Sequence, residues 1–142
     1  MAAEVEVPAG FVPQYALAFG AVDAPAVSVH AGNPLPVRTV RQAAGSVPLI
    51  GSTSASGTVG PFVPELGTPI RVMLTGNWTG VVELQRSIDG GATRVPLTAG
   101  GEGWGRFTGN ANEAVTDESE AGATYHLAIA LQSGTLAYRV AQ

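Results

Sequence analysis

The chain has no cysteine and no lysine, few charges of either sign and no long apolar run. Each shortage excludes something. Without cysteine there can be no disulfide and no thiolate metal site, and cysteine usage leaves no record of a redox compartment. All seven cationic residues are arginine, and charged residues are only 13% of the 142, about half of the ~25% usual in soluble domains. The net charge is −4 and the arginines form no stripe. Nucleic-acid binding depends on clustered Lys/Arg that displace counterions from phosphates, so no direct nucleic-acid contact is expected. The longest apolar stretch near the N-terminus, Tyr15 to Val22, is far too short to span a bilayer, so membrane insertion is not expected either. Glu4, Glu6 and Pro8 stand where a signal peptide would be basic and then apolar, which predicts synthesis without one.

Catalytic constellations are equally sparse. Nucleophilic catalysis of the Ser-His-acid kind needs a histidine held by a carboxylate, and there are two histidines. His30 lies in a proline-rich stretch, and His126 falls on the face of its strand opposite the core set, which predicts a solvent- or neighbour-facing ring. No Gly-x-Ser-x-Gly elbow occurs. Glu113, Asp117, Glu118 and Glu120 crowd one loop, but their spacing matches neither a calcium loop nor any fixed pair of acids; they read as a solvated acidic loop. Thr98 to Gly103 is glycine-rich but lacks the Lys-Ser/Thr and the helix of a phosphate loop. The reading is therefore a non-enzymatic protein with no catalytic, cofactor or metal residues.

What is present divides the chain in two. Residues 1–46 carry Pro8, Pro13, Pro25, Pro34 and Pro36, which block helix interiors and central strands. Between them stand Phe11, Tyr15, Leu17, Phe19 and Leu35, too apolar for an ordinary disordered tail. These five are the expected assembly contacts of an extended N-terminal anchoring arm, laid along a neighbouring subunit as short edge strands. A floppy tail is the competing reading. From residue 47 to 142 the pattern changes to short strands separated by turn signals roughly every 8–12 residues, the mark of an antiparallel β-sandwich. Strands are expected near 58–63, 70–75, 81–87, 93–97, 106–110, 124–131 and 136–140, with minimal helix because no segment sustains a 3.6-residue apolar period.

Local signals refine this. Asp89-Gly90-Gly91 between two strands supplies the positive φ that a tight hairpin turn needs. Gly122-x-x-Tyr125-x-Leu127 looks like the tyrosine corner of immunoglobulin-like and fibronectin-III-like sandwiches, in which the phenol bonds back to upstream backbone. Ser133-Gly134 is expected to turn the chain into a last strand. Trp78 reads as a roof over the core, whereas Trp104, between two glycines, is the candidate glycan contact. The low charge and positive mean hydropathy suit a subunit whose surface is largely covered by neighbours.

The run from Thr75 through Trp78, Leu84-Gln85-Arg86-Ser87 and Asp89-Gly90-Gly91 to Thr93 resembles a small β-sandwich common in virion structural proteins of tailed bacteriophages. Glu120 to Val140 matches that family's end, and Asn33-Pro34-Leu35-Pro36-Val37 looks like segments near the start of phage structural proteins; Arg94 departs from the pattern, where an aromatic is commoner. The resemblance implies a capsid decoration or head-spike-base protein, or a tail accessory module, of a phage or gene transfer agent, and the arginine-only, alanine-rich composition suits a high-GC host. It implies a bacterial-cytoplasmic origin, a place on the exterior of the particle, capsid or other particle proteins as partners, and homo-oligomerisation. Host attachment through a surface glycan is the alternative.

Overall fold

A computed structural model describes residues 18–20, 23, 25–38, 40 and 43–142. Phe11, Tyr15 and Leu17 lie outside them. The chain separates into two units, residues 1–41 and 42–142, and each is described by itself. Among the described residues there is no helix.

In the first unit, β1 (Ala18–Phe19) pairs antiparallel with β2 (Val27–Ser28), Phe19 opposite Val27. Asn33 closes the next turn: its backbone exchanges hydrogen bonds with His30 at 3.1 and 2.8 Å, and its side-chain amide donates to the Ser28 carbonyl at 2.8 Å. Phe19 is half-buried, while Val27, Leu35, Val37 and Val40 are exposed.

The second unit is all-β and antiparallel. Its strands are β3 (Leu49–Thr53), β4 (Gly57–Phe62), β5 (Ile70–Ser87), β6 (Val95–Pro96), β7 (Thr98–Ala99), β8 (Glu102–Gly103), β9 (Arg106–Phe107), β10 (Ala111–Thr116) and β11 (Thr124–Ala141). The two 18-residue strands, β5 and β11, pair along nearly their whole length, from Ser87–Thr124 to Arg71–Ala141. Where short strands 70–75, 81–87, 124–131 and 136–140 were expected, two long ones run through, and Ser133-Gly134 is not a turn. It lies at a register shift between Leu131 and Ser133, a β-bulge inside β11. A bulge bends a strand and increases its twist without ending it.

Glycine makes that bend fit. Gly80 and Gly134 have φ of 143° and 87°, and a Cβ on either would collide with backbone of the facing strand, at Ala130 and Asn77 respectively. Close approach and left-handed backbone together require glycine here. On one side of the bend the sheet runs β10-β5-β11-β3; on the other, β6 and β9 flank β5 and β4 flanks β11. The sheet is therefore two leaves joined by two uninterrupted strands, around one core.

Alternation fills that core. Ile70, Val72, Leu74, Leu136 and Val140 enter it from one leaf, and Val82, Leu84, Tyr125, Leu127 and Ile129 from the other, with Phe62, Phe107 and Val115 completing it. Each fully buried side chain of this size contributes about 1.5–3 kcal/mol. Trp78 sits at the bend, 7% exposed; its indole N–H donates to Asn110 Oδ1 at 2.8 Å, and the Asn110 amide donates to the Gly76 carbonyl at 3.1 Å. A large ring thus covers the core where the backbone kinks, with its one polar atom satisfied.

Candidate functional site

The most connected polar cluster is buried beside the start of β11. Glu118 precedes Tyr125 by seven residues and is itself buried. Its Oε2 accepts from Arg86 Nε at 2.7 Å and from the Tyr125 hydroxyl at 2.9 Å. Its Oε1 accepts from Arg86 Nη2 at 3.0 Å and from the backbone N–H groups of Ser119 and Glu120, each at 2.9 Å. Arg86 also donates to Glu120 at 2.6 Å. The Glu118 carbonyl takes the Gly67 N–H at 2.8 Å, tying a second loop to the cluster.

Two expectations are corrected here. The Tyr125 phenol bonds to a carboxylate rather than to upstream backbone, and Glu118 is no part of a solvated acidic loop. The cause is Arg86, half-buried on β5 next to β11, whose planar fork holds a carboxylate in bidentate fashion and lets it leave water. The hydrogen bond from Arg86, followed by those from the backbone and Tyr125, holds the Glu118 carboxyl at about 2, well below the usual carboxylate range. Burial, then the bond to Glu118, pushes the Tyr125 phenol up to about 12. Arg86 is raised still further above its ordinary basic range by its two carboxylates. These groups satisfy one another, so the cluster is a brace and offers no free acid or base.

His126 also departs from expectation, being buried rather than facing solvent. Its ring fills a slot between two glycines: a Cβ on Gly60 would stand 2.6 Å from Nδ1, and one on Gly91 would stand 3.0 Å from Cε1. Thr124 Oγ1 lies 3.3 Å from Nε2. Burial, and then Arg94 nearby, lowers the histidine below its ordinary value, which favours the neutral ring. A β-bulge in β4 makes half of the slot, two residues of β4, Gly60 and Pro61, standing opposite His126 alone between the pairs Tyr125–Phe62 and Leu127–Val59.

The other half comes from the loop after β5, which is longer than a tight hairpin turn. Gly90 and Gly91 have φ of 71° and 94°. Asp89 accepts from the Thr93 N–H at 2.8 and 3.0 Å and from Ser87 Oγ at 2.7 Å. Hydrogen bonds from Thr93, and then from Ser87, hold its carboxyl at about 2. Thr93 is thereby drawn into the loop, and the strand expected over 93–97 shrinks to Val95–Pro96. Arg94 donates to the Gly91 carbonyl at 3.0 Å.

Exposed surfaces remain. Trp104 is 48% exposed; its indole N–H donates to the Val115 carbonyl at 2.7 Å, which fixes the ring and leaves part of it to solvent. Arg106 and Glu113 line the same shallow cleft, of about 270 Å³. In the first unit Val37 and Val40 are 79% and 72% exposed, with Leu35 beside them in sequence. In the second, Val47, Pro48, Pro61 and Val63 line a proline-walled cleft of about 460 Å³. The structure thus brings Arg86, Glu118, Glu120 and Tyr125 together, a set that the motif Gly122-x-x-Tyr125 signalled only in part. No family model, curated protein or solved structure matches the chain.

Proposed function

We propose that this protein is a non-enzymatic structural component of a tailed-phage-like particle, phage or gene transfer agent, added to the capsid exterior as a decoration or head-spike-base subunit. The observation that carries the reading is the exposed apolar set of the first unit: Leu35, Val37 and Val40 in a proline-rich stretch. Such side chains gain about 1.5–3 kcal/mol each when a partner covers them. The low charge of the chain and the motifs around Trp78 and Tyr125 support the same reading. On this reading the first unit is an anchoring arm, Phe11, Tyr15, Leu17 and Phe19 share the contact with capsid proteins or further copies of the chain, and the two-leaf sheet is an Ig-like or fibronectin-III-like sandwich. Removing residues 1–41 tests it: particles should then lack the protein while residues 42–142 stay folded. Wild-type occupancy of particles by the truncated chain would place the docking surface elsewhere.

One observation favours a second reading, a module that contacts host-surface glycans. The half-exposed indole of Trp104, with Arg106 and Glu113 in the same cleft, has the stacking face and polar rim that sugars use. Trp104→Ala should abolish glycan binding on this reading and leave particle incorporation unchanged.

A further inference from the structure

The outer face of the β10-β5-β11-β3 leaf differs from everything around it. Residues directly opposite in antiparallel strands share a face, so the register places Asn112, Met73, Arg139 and Ile50 in one row across all four strands. The adjoining row is Ala114, Arg71 and Ala141. All of these except Ile50 line a groove of about 470 Å³ together with Pro69 and Gln142, and Ile50, in the same row, is 66% exposed. Two features stand out. The face carries two guanidinium groups and no acidic side chain, in a chain whose net charge is −4. Neither arginine is in a salt bridge among the described residues, where Arg86 alone forms them. Arg71 is nevertheless steadied, donating to the side chain and backbone carbonyls of Asn112 at 3.2 and 3.4 Å. On the other leaf, by contrast, Arg106 stands directly opposite Glu83, so that face balances its own charge.

We infer that the Arg71–Arg139 groove is a docking site for an extended acidic polypeptide segment of a partner protein, with carboxylates at alternate positions. The two arginines are diagonal neighbours on adjacent strands, and such positions stand roughly 7–8 Å apart. An extended chain rises about 3.3 Å per residue, so side chains at i and i+2, on one face, are roughly 7 Å apart. Alternate acids therefore match the pair, whereas adjacent acids point to opposite faces. Met73 and Ile50 supply apolar surface along the same row for the segment's backbone and intervening side chains. This site goes beyond the anchoring role of the first unit and does not depend on it.

The test is fluorescence anisotropy of the full chain with a labelled ten-residue peptide of alternating Glu and Thr. The controls are its Gln-Thr counterpart and a peptide of equal charge written Glu-Glu-Thr-Thr. Saturable binding is expected for the alternating peptide alone, weakening as salt rises past the point where the screening length falls under about 10 Å. Arg71→Gln and Arg139→Gln should each weaken it several-fold and the double variant at least about tenfold, while Arg106→Gln has no effect. Both arginine side chains lie outside the core, and unchanged tryptophan emission verifies the fold of each variant. The inference is overturned if the alternating peptide does not bind, if the double variant binds it equally well, or if the paired-acid peptide binds as tightly. Equal capture of anionic phospholipid vesicles through the same arginines would also overturn the assignment to a polypeptide.

Discussion

Replacing Glu118 by glutamine separates the charge of the buried carboxylate from its shape. The carboxylate accepts five hydrogen bonds, from Arg86 twice, Tyr125, and the Ser119 and Glu120 amides. Glutamine keeps one acceptor oxygen and turns the other site into a donor. Placed at Oε2, the new NH₂ faces Arg86 Nε, which cannot accept; placed at Oε1, it faces two backbone N–H groups. Breaking a buried pair by removing one charge costs about 3–5 kcal/mol. The lower end applies here, because Arg86 keeps Glu120 and its side chain is 29% exposed. The lowered Glu118 carboxyl points to a similar size. The Glu118 carboxyl falls from 4.5 to about 2 on folding, and at 1.36 kcal/mol per pKa unit that is about 3 kcal/mol. Because the folded value is the lower one, this stability is fully present above pH 4.5 and is lost as pH falls towards 2. Urea unfolding of the full chain followed by tryptophan emission reports the second unit, which holds both Trp78 and Trp104. Glu118→Gln should lower its stability by about 3 kcal/mol at pH 7 and flatten the part of the acid slope between pH 4.5 and 2 that Glu118 carries. A variant within 0.5 kcal/mol of wild type, as a rough limit of such measurements, would show that desolvation cancels the ion pair and that the brace stabilises nothing.

Other outcomes follow from the same geometry. Tyr125→Phe removes one donor from a carboxylate that keeps four others, and should cost about 1–2 kcal/mol by thermal unfolding, with the acid slope reduced but still present because Arg86 and the two amides continue to lower Glu118. Gly134→Val sets a Cβ against the Asn77 backbone at φ 87° and should leave the protein largely unfolded by circular dichroism at 25 °C; a native spectrum would mean the bend has room to relax. The His126 ring should titrate by NMR below the ordinary histidine value, and Arg94→Gln should move it upward. Because the neutral ring is the folded form, whatever stability it contributes is present above the ordinary value and lost as pH falls below it.

The all-β class was legible because period-two alternation survives even where strands are long. Val82, Leu84, Leu127 and Ile129 carry the same signal in a short strand as in an 18-residue one. Strand length was not legible. Gly76, Gly80 and Gly134 are turn residues in most contexts, and only a facing strand at close range makes them bend points. Burial of Glu118 was hidden for a related reason. An acid in a run of acids reads as surface, and its partner Arg86 is 32 residues away in sequence. The slot for His126 needs Gly60 and Gly91 from opposite sides of the ring, and no local pattern announces that meeting. Of the arginine face, each residue was visible and the row was not, because rows exist only after register is known.

The two uninterrupted strands also dictate an order of assembly in time. Ser87 and Thr124 are the closest pair in sequence along the β5–β11 ladder, with about 36 residues between them, and Arg71 and Ala141 are the farthest, with about 69. Closing the longer loop first costs about 0.6 kcal/mol more than closing the shorter one. Every rung formed after Ser87–Thr124 then extends an existing ladder towards the bend at Gly80 and Gly134. Folding should start in the leaf that holds Leu84 and Leu127 and reach the leaf that holds Val72 and Val140 last. Truncating Leu84 or Leu127 should slow folding, whereas truncating Val72 or Val140 should mainly speed unfolding. The face that carries Arg71 and Arg139 would then be the last part of the sheet to exist.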